Sequence, residues 1–246
     1  MFPTLHIGPA AVQAPGLILL VGYWLSLSLS GRRAKKVGLS DDVVFNAGMM
    51  GLLVGLVGAR LGYVALHWSA YRNDLAGVAA LNTGALSIPL GVLIGGAIAG
   101  FYLLRRRLPW WVTADALVPG LALMIAFVSL ADLSAGSAYG AASDLPWAIE
   151  LWGARRHPTQ IYEMLAALAA LGLLLWAHPR RPYDGFVLWL FLLTYGAARL
   201  FLEAFRADPW LIAGGFRGVQ VVGLGAVLLA LWQMHRHSLT QRVATR

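Results

Sequence analysis

Long runs of apolar residues constrain this chain more than any other feature of its sequence. Seven windows have roughly the 20-residue length that crosses about 30 Å of hydrocarbon. They lie near residues 15–31, 43–67, 84–104, 110–132, 159–177, 184–205 and 216–234. Backbone groups in lipid must pair within their own segment, so these windows predict helices rather than strands. The expected fold is an all-α bundle of seven transmembrane helices, forming a single domain over residues 1–246.

The composition excludes several other classes of protein. Hydrophobic residues make up 59% of the chain and charged residues 12%, whereas soluble domains carry about 25% charged residues. The chain has no cysteine, which excludes disulfides, thiolate metal sites and a thiol nucleophile of its own. Its histidines and carboxylates show no metal-ligand spacing, and there is no glycine-rich nucleotide loop. We therefore expect neither a metal nor a cofactor.

The net charge of +8 indicates how the chain is oriented across the membrane rather than that it binds nucleic acid. Basic residues mark the cytoplasmic flanks of membrane spans, and twelve of the nineteen basic residues follow the first, third, fifth and seventh windows. These are Arg32, Arg33, Lys35, Lys36, Arg105, Arg106, Arg107, Arg180, Arg181, Arg236, Arg242 and Arg246. The pattern predicts an outer N-terminus, a cytoplasmic C-terminus and outer loops near 68–83, 133–158 and 206–215. We therefore expect the protein to lie in a membrane and to bind no nucleic acid.

Polar side chains inside the windows indicate where function lies, because they are costly in lipid unless paired or hydrated. Arg60 falls inside the second window, and Arg199 and Glu203 share one helical face in the sixth. Guanidiniums that face a cavity can bind phosphate, since arginine stays charged and donates two hydrogen bonds at once. A structural alternative stays open: Arg199 and Glu203 form only an intrahelical ion pair, and Arg60 pairs with Glu163 or Asp132.

Two further polar features lie next to the windows. Residues 155–163 form the densest polar stretch, which enters the fifth window as Gln160, Ile161, Tyr162 and Glu163. The arginines at its start are either functional or merely solvated. Asp115, near the start of the fourth window, is expected at the cytoplasmic interface.

Four stretches of the sequence are similar, in order and spacing, to one family. Residues 156–163 (RHPTQIYE) resemble the RHPSQLYE stretch of the bacterial prolipoprotein diacylglyceryl transferases. Residues 58–64 (GARLGYV) resemble GGRLGYV, and residues 195–206 are similar to YGxxRFxxExxR. Residues 218–220 (GVQ) are similar to the GxSxGQ before the last span. The resemblance therefore covers nearly the whole chain.

This resemblance implies a multi-pass enzyme of the bacterial cytoplasmic (inner) membrane. Its partners would be phosphatidylglycerol and the signal peptide of a prolipoprotein, whose lipobox cysteine thiol receives the diacylglyceryl group as glycerol 1-phosphate leaves. The nucleophile thus arrives on the substrate. The implied catalytic residues are Arg199, His157 and Glu163, with Arg199 at the phosphate. The implied substrate-binding residues are Arg60, Tyr63, Arg156, Gln160, Tyr162, Tyr195, Glu203 and Gln220.

The chain departs from the family pattern at several positions. The histidine expected before the third span is absent from residues 87–95, and Ser129 stands where the signature has an arginine. Asp132 replaces an asparagine, and a tyrosine of the first span is replaced near Pro15. His157 and Glu163 are the candidates to take over from the missing histidine. A non-catalytic paralogue that binds lipid or lipoprotein remains the alternative, whereas a transporter is disfavoured because no internal repeat is visible.

Overall fold

A computed structural model of the chain describes residues 4–7, 10–72, 77–78 and 85–244. Residues 4–7, 10–12 and 240–244 are described by their backbone alone. The expected start of the third span at residue 84, part of the expected outer loop 68–83, and Arg246 lie outside the described residues.

Seven helices of the described chain are long and apolar enough, by length and composition, to cross a membrane. They are α1 (Ala14–Lys36), α2 (Asp41–Leu66), α3 (Ile88–Arg105), α4 (Trp110–Ala135), α5 (Thr159–Ala177), α6 (Phe186–Leu202) and α7 (Gly218–Ala244). The seven predicted spans and the predominantly helical fold are confirmed. The strands are short and form two antiparallel hairpins, β1 (Thr4–Ile7) with β2 (Ala10–Gln13) and β3 (Ile149–Leu151) with β4 (Ala154–Arg156).

Most helix ends differ from the apolar windows by a few residues. Helix α3 begins later than expected, at Ile88, with Pro89 in its first turn, where a missing N–H costs least. Helix α7 continues to Ala244, ten residues beyond the window that ends at 234. Its extra turns are polar and basic, so they lengthen the helix without lengthening the apolar run.

The chain divides into two compact units, each described here by itself. The smaller unit comprises Gly31–Trp110, and the larger unit comprises Met1–Ser30 with Trp111–Arg246. In the smaller unit, α2 and α3 pack through glycines. A Cβ atom at Gly55 would lie 2.8 Å from the carbonyl oxygen of Gly91, and one at Gly51 would lie 2.9 Å from that of Gly95. Small residues therefore bring these two backbones into direct contact.

The larger unit has an apolar core between three helices. Val118 and Ala122 of α4, Leu174 of α5, and Val187 and Phe191 of α6 are its buried members. Helices α6 and α7 approach closely where the carbonyl oxygen of Gly196 would lie 2.9 Å from a Cβ at Gly223.

Asp115 of α4 is completely buried rather than exposed at an interface. Its carboxylate accepts hydrogen bonds from the backbone N–H groups of Gly185 (2.8 Å) and Leu188 (2.9 Å). The first N–H groups of a helix have no acceptor within the helix. Asp115 thus caps the start of α6 from a different helix.

At the opposite end of α6, three connecting segments pair with one another. The segment 139–143 lies between residues 155–157 on one side and 205–207 on the other. Ala141 N–H donates to Phe205 O (2.8 Å), and His157 N–H donates to Ala141 O (3.0 Å). These backbone bonds fix the start of α5 beside the end of α6, which is where the polar residues of the unit gather.

Candidate functional site

Glu163, in the second turn of α5, is shared by two arginines. Its Oε1 atom lies 2.5 Å from Nη1 of Arg199 on α6 and 3.2 Å from Nη1 of Arg206 in the following loop. Exposed fractions of the three side chains are only 12%, 17% and 16%. Bonds of this kind between charged groups are the stronger class of hydrogen bond.

The same arginines also contact other acids. Arg199 Nη2 lies 2.8 Å from Oε2 of Glu203, one helical turn further on, and the Glu203 side chain is 1% exposed. Arg206 Nη2 lies 3.2 Å from Oδ1 of Asp208. Arg217 donates to the backbone carbonyl oxygen of Glu203. We call these residues the ion cluster: Glu163, Arg199, Glu203, Arg206, Asp208 and Arg217.

The ion cluster contains three guanidiniums and three carboxylates. Burial would lower the pKa of Arg206, but the carboxylates of Glu163 and Asp208 outweigh that effect and hold its pKa above the ordinary arginine value. The Arg206 guanidinium therefore stays charged. Each arginine has five N–H donors, so the two contacts of Arg199 leave donors for an incoming anion.

An aromatic group lies beside the ion cluster. Trp147 Nε1 donates to the Tyr162 hydroxyl (2.7 Å), which lies 3.5 Å from Nδ1 of His157. The His157 ring packs edge-on against Phe205, with ring centroids 5.1 Å apart. A cavity of about 350 Å³ opens between these four side chains, with Leu145, Phe201 and Leu202 completing its wall. Its lining is almost entirely apolar, so it suits a hydrocarbon group.

Gln160 belongs to a separate polar chain at the start of α5. Its side chain is 1% exposed, and its Nε2 donates to the backbone oxygen of Ser137 (2.6 Å). Ser137 in turn donates through its hydroxyl to Asp132 (2.7 Å). Among the described residues Gln160 Oε1 has no partner, so an acceptor is buried here without its hydrogen bond.

The remaining predicted residues of the larger unit surround this region. Arg156 donates through Nε to Leu151 O (3.1 Å), and its guanidinium lies over the ring of Tyr139. Tyr195 stacks on Phe191, with ring centroids 5.4 Å apart. Gln220, in the first turn of α7, donates to Leu200 O (3.0 Å).

Two predicted site residues lie in the smaller unit. Arg60 is buried and donates to three backbone carbonyls, those of Gly77 (2.5 Å), Val78 (3.1 Å) and Ala85 (2.9 Å). Its guanidinium therefore holds these three backbone carbonyls of the connection between α2 and α3 in place. Tyr63 stacks on His67, with ring centroids 4.2 Å apart.

The structure thus joins predicted residues that are distant in sequence and adds others. Arg199 and Glu203 form the intrahelical ion pair that was the structural alternative, and Arg199 also binds Glu163 of α5. Four residues of the site were not among the predicted ones: Trp147, Phe205, Arg206 and Arg217. Arg206 closes the segment 195–206 that resembles a family motif, so that signal was available. Arg217 and Trp147 lie in loops, where no periodicity indicates what their side chains contact.

Comparison with known proteins places this geometry in a wider context. A family model described as prolipoprotein diacylglyceryl transferase matches residues 3–236. A protein of Symbiobacterium thermophilum is 34% identical, with 95% of this chain and 92% of the relative covered. One of Clostridioides difficile is 32% identical, with 87% and 86% covered. One of Thermosynechococcus vestitus is 30% identical, with 95% and 91% covered. Each of these relatives is described as a phosphatidylglycerol–prolipoprotein diacylglyceryl transferase.

Proposed function

The chain belongs to the prolipoprotein diacylglyceryl transferase family, and we propose that it transfers the diacylglyceryl group of phosphatidylglycerol to the lipobox cysteine thiol of a prolipoprotein. It is a multi-pass bacterial membrane protein. We place it in the cytoplasmic membrane, with the N-terminus outside and the ion cluster toward the outer leaflet. The basic flanks of the spans support this orientation.

The proposed reaction is a substitution at the glyceryl carbon that bears the phosphate. The thiol sulfur forms a bond to this carbon, and the bond between the carbon and its phosphate oxygen breaks. Glycerol 1-phosphate leaves with the electron pair, and the thiol proton passes to a base. Two groups must therefore come from the protein, a cation for the leaving phosphate and an acceptor for the proton.

One observation carries the assignment of the phosphate to the ion cluster. Arg199 and Arg206 converge on one oxygen of Glu163, next to a cavity whose lining is apolar. A phospholipid has the same two parts, an anionic headgroup and hydrocarbon next to it. We assign the headgroup phosphate to the free N–H donors of Arg199 and Arg206, with Glu203 holding Arg199 in place.

His157 is the proposed proton acceptor. Both it and Glu163 were candidates, but Glu163 is engaged by two guanidiniums, whereas His157 borders the cavity beside Tyr162. Imidazole is the side chain best suited to take up protons near neutral pH. Thiolate, not thiol, is the attacking species, so a base at the cavity is what this acceptor needs. Five residues of the larger unit keep their proposed part in substrate binding: Arg156, Gln160, Tyr162, Tyr195 and Gln220. For Arg60 and Tyr63 of the smaller unit, substrate binding is a separate proposal.

The decisive experiment follows glycerol phosphate release. Purified protein in phosphatidylglycerol vesicles is mixed with a lipobox peptide, and both glycerol phosphate and thioether peptide are quantified. The wild type should release product, and Arg199→Ala should lose at least about 100-fold of that rate, because one transition-state charge contact is worth that much. Arg180→Ala is the matched control. It removes an arginine that follows the other end of α5, where it contacts Trp176.

The alternative function gives the opposite result. A non-catalytic paralogue would retain bound phosphatidylglycerol in native mass spectrometry and release no glycerol phosphate. Replacement of the signature arginine by Ser129 and the pairing of Arg199 with two acids are the observations that favour it. Absence of release from the wild type, with lipid still bound, would overturn the enzymatic proposal.

A further inference from the structure

Arg217 projects from a hairpin-like loop that precedes α7. Ile212 N–H donates to Phe216 O (2.9 Å), and Gly218 N–H donates to Trp210 O (2.8 Å). Leu211 and Arg217 form an antiparallel bridge. The tip of the loop turns through Gly214 and Gly215, whose φ angles of 82° and 78° suit glycine. The backbone of Arg217 is therefore held on both sides.

The Arg217 guanidinium lies at the end of α6. Its Nη1 donates to the backbone oxygen of Glu203, and the carboxylate of the same residue binds Arg199. Arg217 is half-buried. One contact with a carbonyl uses one of five donors, and Arg217 has no carboxylate partner among the ion pairs of the described residues. Its charge is linked to Arg199 through Glu203, whose backbone oxygen binds Arg217 and whose carboxylate binds Arg199.

The charge balance of the ion cluster depends on this residue. With Arg217, three guanidiniums face three carboxylates. Without it, two guanidiniums would face the same three carboxylates, and Asp132, which interacts electrostatically with Glu163 and Arg206, adds a further acid in both cases. Without Arg217, an anion brought to the site would therefore meet more net negative charge and be repelled more strongly.

We propose that Arg217 is a further anion-binding residue, which contacts the phosphate group of the substrate or product together with Arg199. This inference rests on the proposed function, because it takes a phosphorylated glycerol compound as the ligand. Arg217 pairs its charge with the phosphate, while its bond to Glu203 O orients the guanidinium. Arg217 thus differs from Arg199 in having no carboxylate partner among the described ion pairs, whereas Arg199 is paired with two acids.

Binding measured without any acceptor peptide tests the proposal. Native mass spectrometry titrations use phosphatidylglycerol in one arm and glycerol 1-phosphate in the other, which separates a lipid headgroup from a soluble phosphate. Arg217→Gln should weaken binding in at least one arm by about tenfold, and Arg217→Lys by about threefold, since lysine keeps the charge but loses the planar donors. Arg155→Gln is the matched control, because Arg155 is an exposed loop arginine that also donates to a backbone carbonyl (Leu145 O, 2.9 Å).

The results separate this inference from the proposed function. The proposed role of Arg217 is wrong if Arg217→Gln melts at the wild-type temperature and its affinities for both ligands lie within twofold of the wild-type affinities. If Arg217→Gln does not fold, Arg217→Lys decides, and unchanged affinity in both arms overturns the inference. Failure of the proposed function is recognised differently, by a wild type that binds phosphatidylglycerol but never releases glycerol phosphate.

Discussion

Glu163 Oε1 lies 2.5 Å from Nη1 of Arg199, although 36 residues separate the two along the chain. The pair joins the start of α5 to the end of α6. It also sets a competition, because the carboxylate that holds the guanidinium in place occupies donors that a phosphate would use. The affinity of the site for anions is therefore limited by its own acids.

Replacing Glu163 by glutamine should relieve that competition. Glu163→Gln removes one negative charge, while Arg199 keeps Glu203 and Arg206 keeps Asp208 as partners. We expect phosphatidylglycerol affinity to rise about threefold or more, since the ion cluster gains net positive charge. Native mass spectrometry of the lipid-bound protein measures the change. Glu150→Gln, an exposed position on β3, should leave affinity unchanged; a fall in affinity for Glu163→Gln would assign this carboxylate to direct lipid contact instead.

The Tyr162 hydroxyl should matter for turnover, whereas the ring, which Tyr162→Phe keeps, lines the cavity and serves substrate binding. It accepts a hydrogen bond from Trp147 and lies 3.5 Å from His157. Tyr162→Phe removes the group that orients the imidazole, so kcat should fall about tenfold with KM for phosphatidylglycerol little changed.

Trp147→Phe provides the graded comparison for that measurement. This variant keeps the Tyr162 hydroxyl and removes only its indole donor, so its kcat should fall less than that of Tyr162→Phe. Equal losses of kcat in the two variants, or a KM that changes as much as kcat, would show that the aromatic group serves packing alone.

Close contact between α2 and α3 gives a stability prediction for the smaller unit. Gly55→Leu places a side chain where a Cβ already lies 2.8 Å from Gly91 O. Overpacking of this kind costs roughly 1–3 kcal/mol, and rigid backbone on both sides leaves little room to relax. Thermal unfolding in detergent should therefore shift to lower temperature. Gly96→Leu on α3 is the matched control, because a Cβ there would meet nothing within 4 Å; similar melting of both variants would refute close packing at Gly55.

The helices were predictable because one requirement determines membrane spans, an apolar run long enough to cross the hydrocarbon. A window such as 159–177 matches α5 at both ends, since its apolar run stops where the helix does. The end of α7 was not predictable in this way, because its last turns extend past residue 234 into polar sequence. The β3–β4 hairpin was also missed. It turns through Trp152 and Gly153, with φ angles of 56° and 73°, and tryptophan rarely adopts such a conformation.

The candidate site was predictable in part for a similar reason. Arg199 and Glu203 lie one helical turn apart, so helical periodicity alone puts them together. The contact of Glu163 with Arg206 depends on how α5 packs beside α6 and on the backbone pairing of the loops between them. Such a contact has no local signature. Arg217 contacts a backbone carbonyl, and no residue type in the sequence marks that acceptor.

The buried carboxylate of Asp115 should be important for folding and unimportant for lipid binding. Asp115→Asn keeps one acceptor oxygen for the N–H groups of Gly185 and Leu188 and loses the charge. We expect destabilisation of about 1–3 kcal/mol, the cost of a buried donor left without its bond. Thermal melting in detergent measures it. Asp184→Asn removes an exposed acid beside Arg181 and should melt like the wild type; phosphatidylglycerol affinity should stay the same in both variants.

The same cap has a consequence for how the protein is made. Asp115 precedes Gly185 by 70 residues, so it leaves the ribosome and enters the bilayer well before α6 does. When α6 is inserted, the carboxylate of Asp115 on α4 is therefore already present to accept hydrogen bonds from the N–H groups of Gly185 and Leu188. Synthesis from the N-terminus thus supplies the acceptor before its donors, and α6 made without α4 would lack this acceptor for the N–H groups of Gly185 and Leu188.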